Sequence, residues 1–221
     1  MVKYDPEATV DWILFGGSFN PPHKGHALIL GTLLQLHCCE KIVLMPARRS
    51  PFKTSEPPPV ADEHRLRMLR LLTLELDLDM QTRIEICNYE LGRDAVSYTW
   101  HSLDYLRQAH PHTSIGLAIG SDHVLQLQRW HNIAAILQQH PLFIYNRPGN
   151  VYSVNAIQAQ LAKIDSLSNH GSWRLMDMEL NSCSSSQIRD LCANNRREIR
   201  RTACLPISIL DYIQQHNLYN S

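Results

Sequence analysis

Trp12-Ile13-Leu14-Phe15 is a short apolar run that leads into Gly16-Gly17-Ser18-Phe19-Asn20-Pro21-Pro22-His23-Lys24-Gly25-His26, a stretch punctuated by glycine and proline. Beyond it, Ala27-Leu28-Ile29-Leu30-Gly31-Thr32-Leu33-Leu34 lacks proline and reads as a helix. Strand, Gly/Pro loop and helix form the first half of a βαβ unit. Lys41-Ile42-Val43-Leu44-Met45-Pro46 supplies a second strand at the spacing that completes it. Such crossovers are nearly always right-handed, and open α/β sheets bind ligands where the loops leave the carboxyl ends of their strands.

The loop's residue types suit an anion. Gly16 and Gly17 have no side chains, so their amides can approach a phosphate closely and take up positive φ. His23 and His26 flank Gly25 at the expected helix start, where free amides and the helix dipole favour negative charge. Two imidazoles there can donate hydrogen bonds to phosphoryl oxygens.

A chain of 221 residues, 44% hydrophobic, is expected to form one domain with a core on both faces of a sheet. Lys plus Arg and Asp plus Glu both number 21, which speaks against a polyanion such as nucleic acid as main partner. No run approaches a membrane span, and Met1-Val2-Lys3-Tyr4-Asp5-Pro6 lacks the apolar region of a signal peptide. A soluble, cytoplasmic protein is expected. Cys38, Cys39, Cys87, Cys183, Cys192 and Cys204 form no C-x-x-C, so reduced, mostly buried thiols are expected and a zinc site is not. Of the twelve histidines, most besides His23 and His26 are expected at the surface.

Downstream, Ala47 to Lys53 is a basic, proline-bounded loop, and Glu56-Pro57-Pro58-Pro59 reads as a mobile linker stiffened locally by proline. A helix is expected over Ala61–Leu76, a strand over Arg83–Cys87, and a helix from Ser97, a plausible N-cap, to about His110. Ser114–Ile119 is the next strand, ending in Gly120-Ser121-Asp122; Gly120 permits close approach and Asp122 can accept from a ribose hydroxyl. A helix over Asn132–His140 and a strand over Pro141–Asn146 precede Arg147, which can lie against a base or reach a phosphate. A helix around Ala156–Ile164 and a last strand over Trp173–Met178 follow. Ser182-Cys183-Ser184-Ser185-Ser186-Gln187-Ile188-Arg189 is a second helix start with hydroxyls on its first turn. Arg189 lies one turn in and leans back toward the same amides. Pro206 opens a terminal helix at a favourable first-turn position, and the Arg196–Arg201 basic run reads as solvated.

The first loop resembles the G-G-T/S-F-D/N-P-x-H-x-G-H signature of the Rossmann-like nucleotidyltransferase superfamily. Ser184, Ser186 and Arg189 match its I-S-S-T-x-I-R motif, with Cys183 in place of the usual Ile as an apolar exchange. Together with Ser97-Tyr98-Thr99, Gly120-Ser121-Asp122, Trp130 and Arg147-Pro148-Gly149, the chain resembles the bacterial nicotinate-nucleotide adenylyltransferase family from Ile13 to Tyr219. Asn20 departs from the Asp usual in that family and matches the related nicotinamide-nucleotide enzymes.

The resemblance implies an α/β/α three-layer sandwich with a mostly parallel sheet, a single domain over residues 1–221 with a small helical part from about 184. It implies adenylyl transfer from ATP to nicotinate mononucleotide, giving deamido-NAD and pyrophosphate, with no protein nucleophile. His23, His26, Lys53 and Arg189 would act in catalysis. Gly16, Gly17, Ser18, Phe19, Gly120, Asp122, Arg147, Ser184 and Ser186 would hold ATP, and Tyr98, Thr99 and Trp130 the pyridine mononucleotide. Mg²⁺ would ride on the ATP phosphates without dedicated protein ligands. Rival readings are a nicotinamide-mononucleotide or dual-specificity enzyme, another nucleotidyltransferase of the superfamily, and a nucleotide-binding regulator without turnover.

Overall fold

The computed structural model describes residues 2–49, 58–94, 96–147, 151–164, 171–176, 178, 182–194, 199 and 202–220. Seven strands, β1 (Lys3–Tyr4), β2 (Val10–Gly17), β3 (Cys39–Pro46), β4 (Ile84–Ile86), β5 (Ile115–Gly120), β6 (Leu142–Tyr145) and β7 (Ser172–Met176), form one sheet. Their order is β1-β7-β6-β5-β2-β3-β4. Every neighbouring pair is parallel, so the sheet expected to be mostly parallel is parallel throughout. The helices are α1 (Lys24–Gln35), α2 (Asp62–Thr73), α3 (Leu78–Thr82), α4 (Thr99–Ala109), α5 (Ser121–Val124), α6 (Ile133–Gln139), α7 (Val154–Ala162), α8 (Ser185–Asn194) and α9 (Ile207–Gln215), with a 3₁₀ turn at Leu127–Arg129.

Strand periodicity divides the core between the two faces. Leu14 joins Val43, Leu117 and Ile144 on one face, under Leu103 of α4, Ile136 of α6 and Ile157 of α7. Ile13 and Phe15 point the other way, with Ile42, Leu44 and the Ile29, Leu30, Leu33 and Leu34 stripe of α1. Leu30 and Leu33 have no solvent access, and each such burial is worth about 1.5–3 kcal/mol. A third cluster joins Met68 and Leu72 of α2 to Ile188 of α8 and to Ile209 and Ile213 of α9. The C-terminal helices therefore pack on α2.

The chain changes direction across the sheet at β2, with β3 on one side and β5 on the other. The carboxyl ends of those strands leave a crevice where ligands of such sheets bind.

Several local expectations are corrected. Gly16 and Gly17 are the last residues of β2, paired with Met45 and Pro46, and the positive φ falls on Phe19 at 45°. The ladder to β3 holds the glycines extended, so the chain turns two residues later. β1 and α3 were not foreseen, being too short to show a period. Pro206 stands at the N-cap of α9, one place before the first turn. Tyr98 holds the N-cap position of α4, and Ser97 is taken by a neighbouring loop: its hydroxyl accepts from the Arg48 amide (3.1 Å). His140 is buried, bonding the Ile115 carbonyl through Nδ1 at 2.8 Å, and burial lowers its pKa. Among the described residues no helix is long and apolar enough to cross a membrane.

At the outer edge, the Gly171 carbonyl accepts from the Lys3 amide at 2.8 Å, and a Cβ on Gly171 would collide with the main-chain carbonyl of Leu137. Backbone cannot yield as a side-chain tip can. Gly171→Ala should lower stability by about 1–3 kcal/mol, as overpacking does, read as a fall in the urea midpoint.

Candidate active site

The loop between β2 and α1 is held from outside by α2. Arg65 has no solvent access; its Nη1 donates to the carbonyls of Ser18 (3.0 Å) and Ala47 (2.6 Å), and its Nη2 to Asp62 (2.5 Å). One guanidinium thus ties together the loops that leave β2 and β3. Phe19, 2% exposed, packs edge-on against Phe15 (5.6 Å) and His26 (5.0 Å). Its ring is core, which leaves its backbone for any ligand.

Asn20 is a structural knot. Its side-chain oxygen accepts from Tyr219 (2.9 Å) and from the Val60 amide (3.3 Å), and its main-chain carbonyl accepts from Arg189 Nη1 (2.8 Å). The Asn20–Pro21 peptide is cis. Ser185 Oγ donates to the Pro21 carbonyl at 2.8 Å. The second helix start is thereby fastened to the first loop. Ser184 caps α8, accepting from the Gln187 amide (3.2 Å), and Ser186 accepts from Arg189 Nη2 (3.2 Å).

His23 is the N-cap of α1. Its backbone N–H donates to Nδ1 of His26 at 3.1 Å, so a neutral His26 carries its proton on Nε2. The two rings lie 3.8 Å apart. Burial, and then the charge of Arg147, push His23 down to about 4. Burial first, then His23 and Arg147, hold His26 well below its usual value. Both are neutral at physiological pH and offer hydrogen bonds in place of charge.

Across the crevice, Arg147 at the end of β6 pairs with Asp122 of α5 at 3.3 Å. A Cβ on Gly120 would collide with both partners, so only glycine lets that pair sit against the end of β5. Further out, Tyr98, Thr99, Trp130 and His131 wall the same cleft, with Tyr98 and His131 rings 5.1 Å apart. Glu90 belongs to this wall and went unnoticed in the sequence. It is 8% exposed and accepts from Ser102 Oγ at 2.5 Å. Burial raises its carboxyl pKa against the pull of the Ser102 and Ser97 hydroxyls. Asp94, the acid nearest in sequence to the Tyr98 stretch, turns to Arg48 (3.7 Å).

The cleft encloses about 1680 Å³ and is lined by Gly16, Gly17, Ser18, Phe19, His23 and His26, by Asp122 and Arg147, by Ser184, Ser186 and Arg189, and by Tyr98, Thr99 and Trp130. Gly120 lies directly behind it, against the Asp122–Arg147 pair. Lys53, Pro148, Gly149 and the arginines of the Arg196–Arg201 run fall outside the described residues. The expectation of six reduced cysteines is overturned, since Cys183 and Cys204 are joined by a disulfide. Folding brings together two residues that the sequence leaves 21 apart, and Cys183 is no apolar stand-in for Ile.

Residues 14–191 match the cytidylyltransferase-like family. A "Probable nicotinate-nucleotide adenylyltransferase" of Streptococcus pyogenes serotype M3 is 30% identical over 210 residues, spanning 93% of this chain and 87% of the relative. One of Shewanella putrefaciens is 30% identical over 221 residues, spanning 94% and 98%. The chain belongs to the nicotinate-nucleotide adenylyltransferase family. The fold agrees: the Plasmodium falciparum nicotinic acid mononucleotide adenylyltransferase complexed with NaAD superimposes with TM-score 0.79 at 18% identity, covering 95% of this chain and 97% of its own. For a nicotinate-nucleotide adenylyltransferase, Asn20 in place of Asp is structurally mild, because both donors that reach its side chain need only an oxygen acceptor.

Two outcomes follow from this geometry. Asn20→Asp should stay within about 1 kcal/mol of wild type, whereas Asn20→Ala strands the Tyr219 hydroxyl and the Val60 amide and should cost about 1–3 kcal/mol for each buried group left unpaired, measured by denaturant unfolding. A folded-state pKa depressed to about 4 for His23 gives stability that is complete above the unfolded value of about 6.5 and is lost as pH falls between the two. The loss amounts to about 3 kcal/mol for His23, with His26 adding in the same direction. Ring ¹⁵N shifts should place the His23 midpoint near 4, and a midpoint near 6.5 would refute the burial argument.

Proposed function

We propose that the cleft transfers the adenylyl group of ATP to nicotinate mononucleotide. A phosphate oxygen of the mononucleotide attacks the α-phosphorus, the bond to the β-phosphate bridge breaks, and deamido-NAD and pyrophosphate leave. One observation carries the reading: the starts of α1 and α8 open on one cleft, with His23 and His26 on the first, Ser184 to Arg189 on the second, and an aromatic wall further along. Helix starts favour phosphate, and an aromatic wall suits a pyridine.

No side chain need act as nucleophile. Rate would come from in-line positioning and from donors aimed at charge that spreads onto the bridging oxygens. His23 and His26 would donate as neutral imidazoles, Arg147 and Arg189 would supply charge, and Lys53, which follows β3 in the sequence, would join them. The donors along the phosphate path are imidazole, guanidinium, hydroxyl and amide groups, which suit phosphate oxygens and not a hard cation. Among the described residues no three His, Cys, Asp or Glu side chains cluster. Mg²⁺ would therefore be carried by phosphate oxygens and water, where it supplies charge neutralisation.

His23→Ala and His26→Ala should each lower kcat by about 10²–10³-fold, as loss of a preorganised donor does, with little change in KM for the mononucleotide. Wild-type kcat in both would remove the loop from the chemistry. Arg189→Ala should raise KM for ATP, and Lys in its place should recover only part, because the planar fork is lost.

The acid form of the mononucleotide is the preferred acceptor in this reading. The start of α4 at Thr99 offers free amides and a positive dipole end to a carboxylate, while Trp130 reads the ring face. One charged hydrogen bond gives about tenfold to a hundredfold in kcat/KM over the amide. Glu90 supports the second reading, use of the amide, since an ionised carboxylate in that wall would oppose the acid. Burial raises the Glu90 carboxyl pKa, which works against that opposition. Equal or higher kcat/KM for nicotinamide mononucleotide would overturn the acid preference and leave adenylyl transfer standing.

A further inference from the structure

We infer that Cys183 and Cys204 form a thiol–disulfide exchange site that sets the affinity of the cleft for ATP. The inference rests on the reading of α8 as part of the ATP phosphate site.

The bond joins two segments that flank the phosphate loop. Cys183 immediately precedes Ser184, the cap of α8, and lines the cleft. Cys204 lies just before α9, and its carbonyl accepts the amide of Lys24, the first residue of α1, at 2.9 Å. The disulfide thus ties the start of the Ser184–Arg189 helix to the segment that holds the start of the His23–His26 helix. With the bond open, α8 keeps its contacts to Pro21 and Asn20 but loses its covalent link to α1's neighbour. The bond closes a loop that contains α8 itself, so its opening falls on the phosphate wall and leaves the sheet alone.

The other thiols are poor competitors. Cys38, Cys39 and Cys192 are buried. Burial pushes the thiols of Cys38 and Cys87 up and that of Cys39 to about 12, which depletes the reactive thiolate. Cys183 and Cys204 are only half-buried, and Cys183 stands just outside the N-terminus of α8.

The oxidant is a low-molecular-weight disulfide of the glutathione class. The Cys183 thiolate attacks one sulfur of that disulfide and releases one thiolate. The Cys204 thiolate then attacks Cys183 in the mixed disulfide and releases the second. Two protein thiols and one disulfide become one protein disulfide and two small thiols, with the two electrons of the protein pair reducing the oxidant.

The test equilibrates the native protein with glutathione buffers from oxidising to reducing, counts thiols after acid quenching and unfolding, and measures steady-state kinetics at each poise. Four thiols are expected at the oxidised end and all six cysteines at the reduced end. KM for ATP should rise by about fivefold or more on reduction, the lower range of a coupling between sites, while KM for nicotinate mononucleotide and kcat stay within about twofold. The double variant Cys183→Ser, Cys204→Ser should show the reduced-state KM at every poise. A wild-type KM for ATP that ignores the poise, a double variant that still responds, or a thiol count that never changes would each overturn the inference. Should Arg189→Ala raise KM for ATP while the poise does not, the exchange site fails and the phosphate site stands. An unchanged KM in Arg189→Ala removes the phosphate site itself.

Discussion

The cleft depends on one buried cation. Arg65 sits where solvent cannot reach it, and its guanidinium holds the carbonyls of Ser18 and Ala47 and the carboxylate of Asp62. A charge taken out of water is tolerated when it is paired and hydrogen-bonded, as both terminal nitrogens of Arg65 are, and breaking such an arrangement costs several kcal/mol. The planar fork suits this task because it reaches two main-chain oxygens and a carboxylate at fixed angles, which an ammonium cannot do. Those carbonyls, turned toward Arg65, are kept from facing an incoming phosphate. Asp62 also lies 3.5 Å from Arg48, so one carboxylate links the buried guanidinium to the loop beside Ser97.

From that anchor the second helix start follows. Asn20 takes its partners from α8, from the chain ahead of α2 and from the C-terminal Tyr219. One amide side chain thus joins distant parts of the chain, with a sequence separation of 199 for the Tyr219 bond. Burial raises the Tyr219 hydroxyl well above its ordinary value, so it stays a donor. The C-terminal helices therefore do more than cover α2. They hold the loop after β2 against α8, so the starts of α1 and α8 are joined through it.

How far the sequence reveals this varies with the physics. The β2–loop–α1 unit is legible because period-2 apolar residues, a Gly/Pro break and a proline-free apolar run are local signals. So is the second helix start, where hydroxyls and Arg189 lie within one turn. Arg65 had a signal that was passed over: with Met68, Leu69 and Leu72 it occupies the i, i+3, i+4, i+7 stripe of α2, the face that must be buried. Glu90 and the Asn20–Tyr219 bond had no such mark, since one lies in an irregular turn and the other depends on how distant segments meet. The Cys183–Cys204 pairing is hidden for the same reason, because connectivity is a property of the fold. Phe19 serves two environments at once. The core between Phe15 and His26 claims its ring, which the motif does not reveal, while the residue still lines the cleft.

The distribution of charge in the cleft decides how the proposed chemistry would be divided. Burial keeps both imidazoles neutral, and Arg147 adds to that by repelling a proton from each. Neutral imidazoles donate well but contribute no net charge, so under the proposed reaction the charge offered to a triphosphate would come from Arg147, Arg189 and Lys53. Arg147 is partly neutralised by Asp122 until a ligand arrives. Under the proposed reaction, a ribose hydroxyl donating to Asp122 would weaken its hold on Arg147 and leave that cation for phosphate. Nucleoside recognition at the end of β5 and charge supply at the end of β6 would then be coupled through a single ion pair. Gly120 is what makes the coupling possible, because any side chain there would push the pair apart.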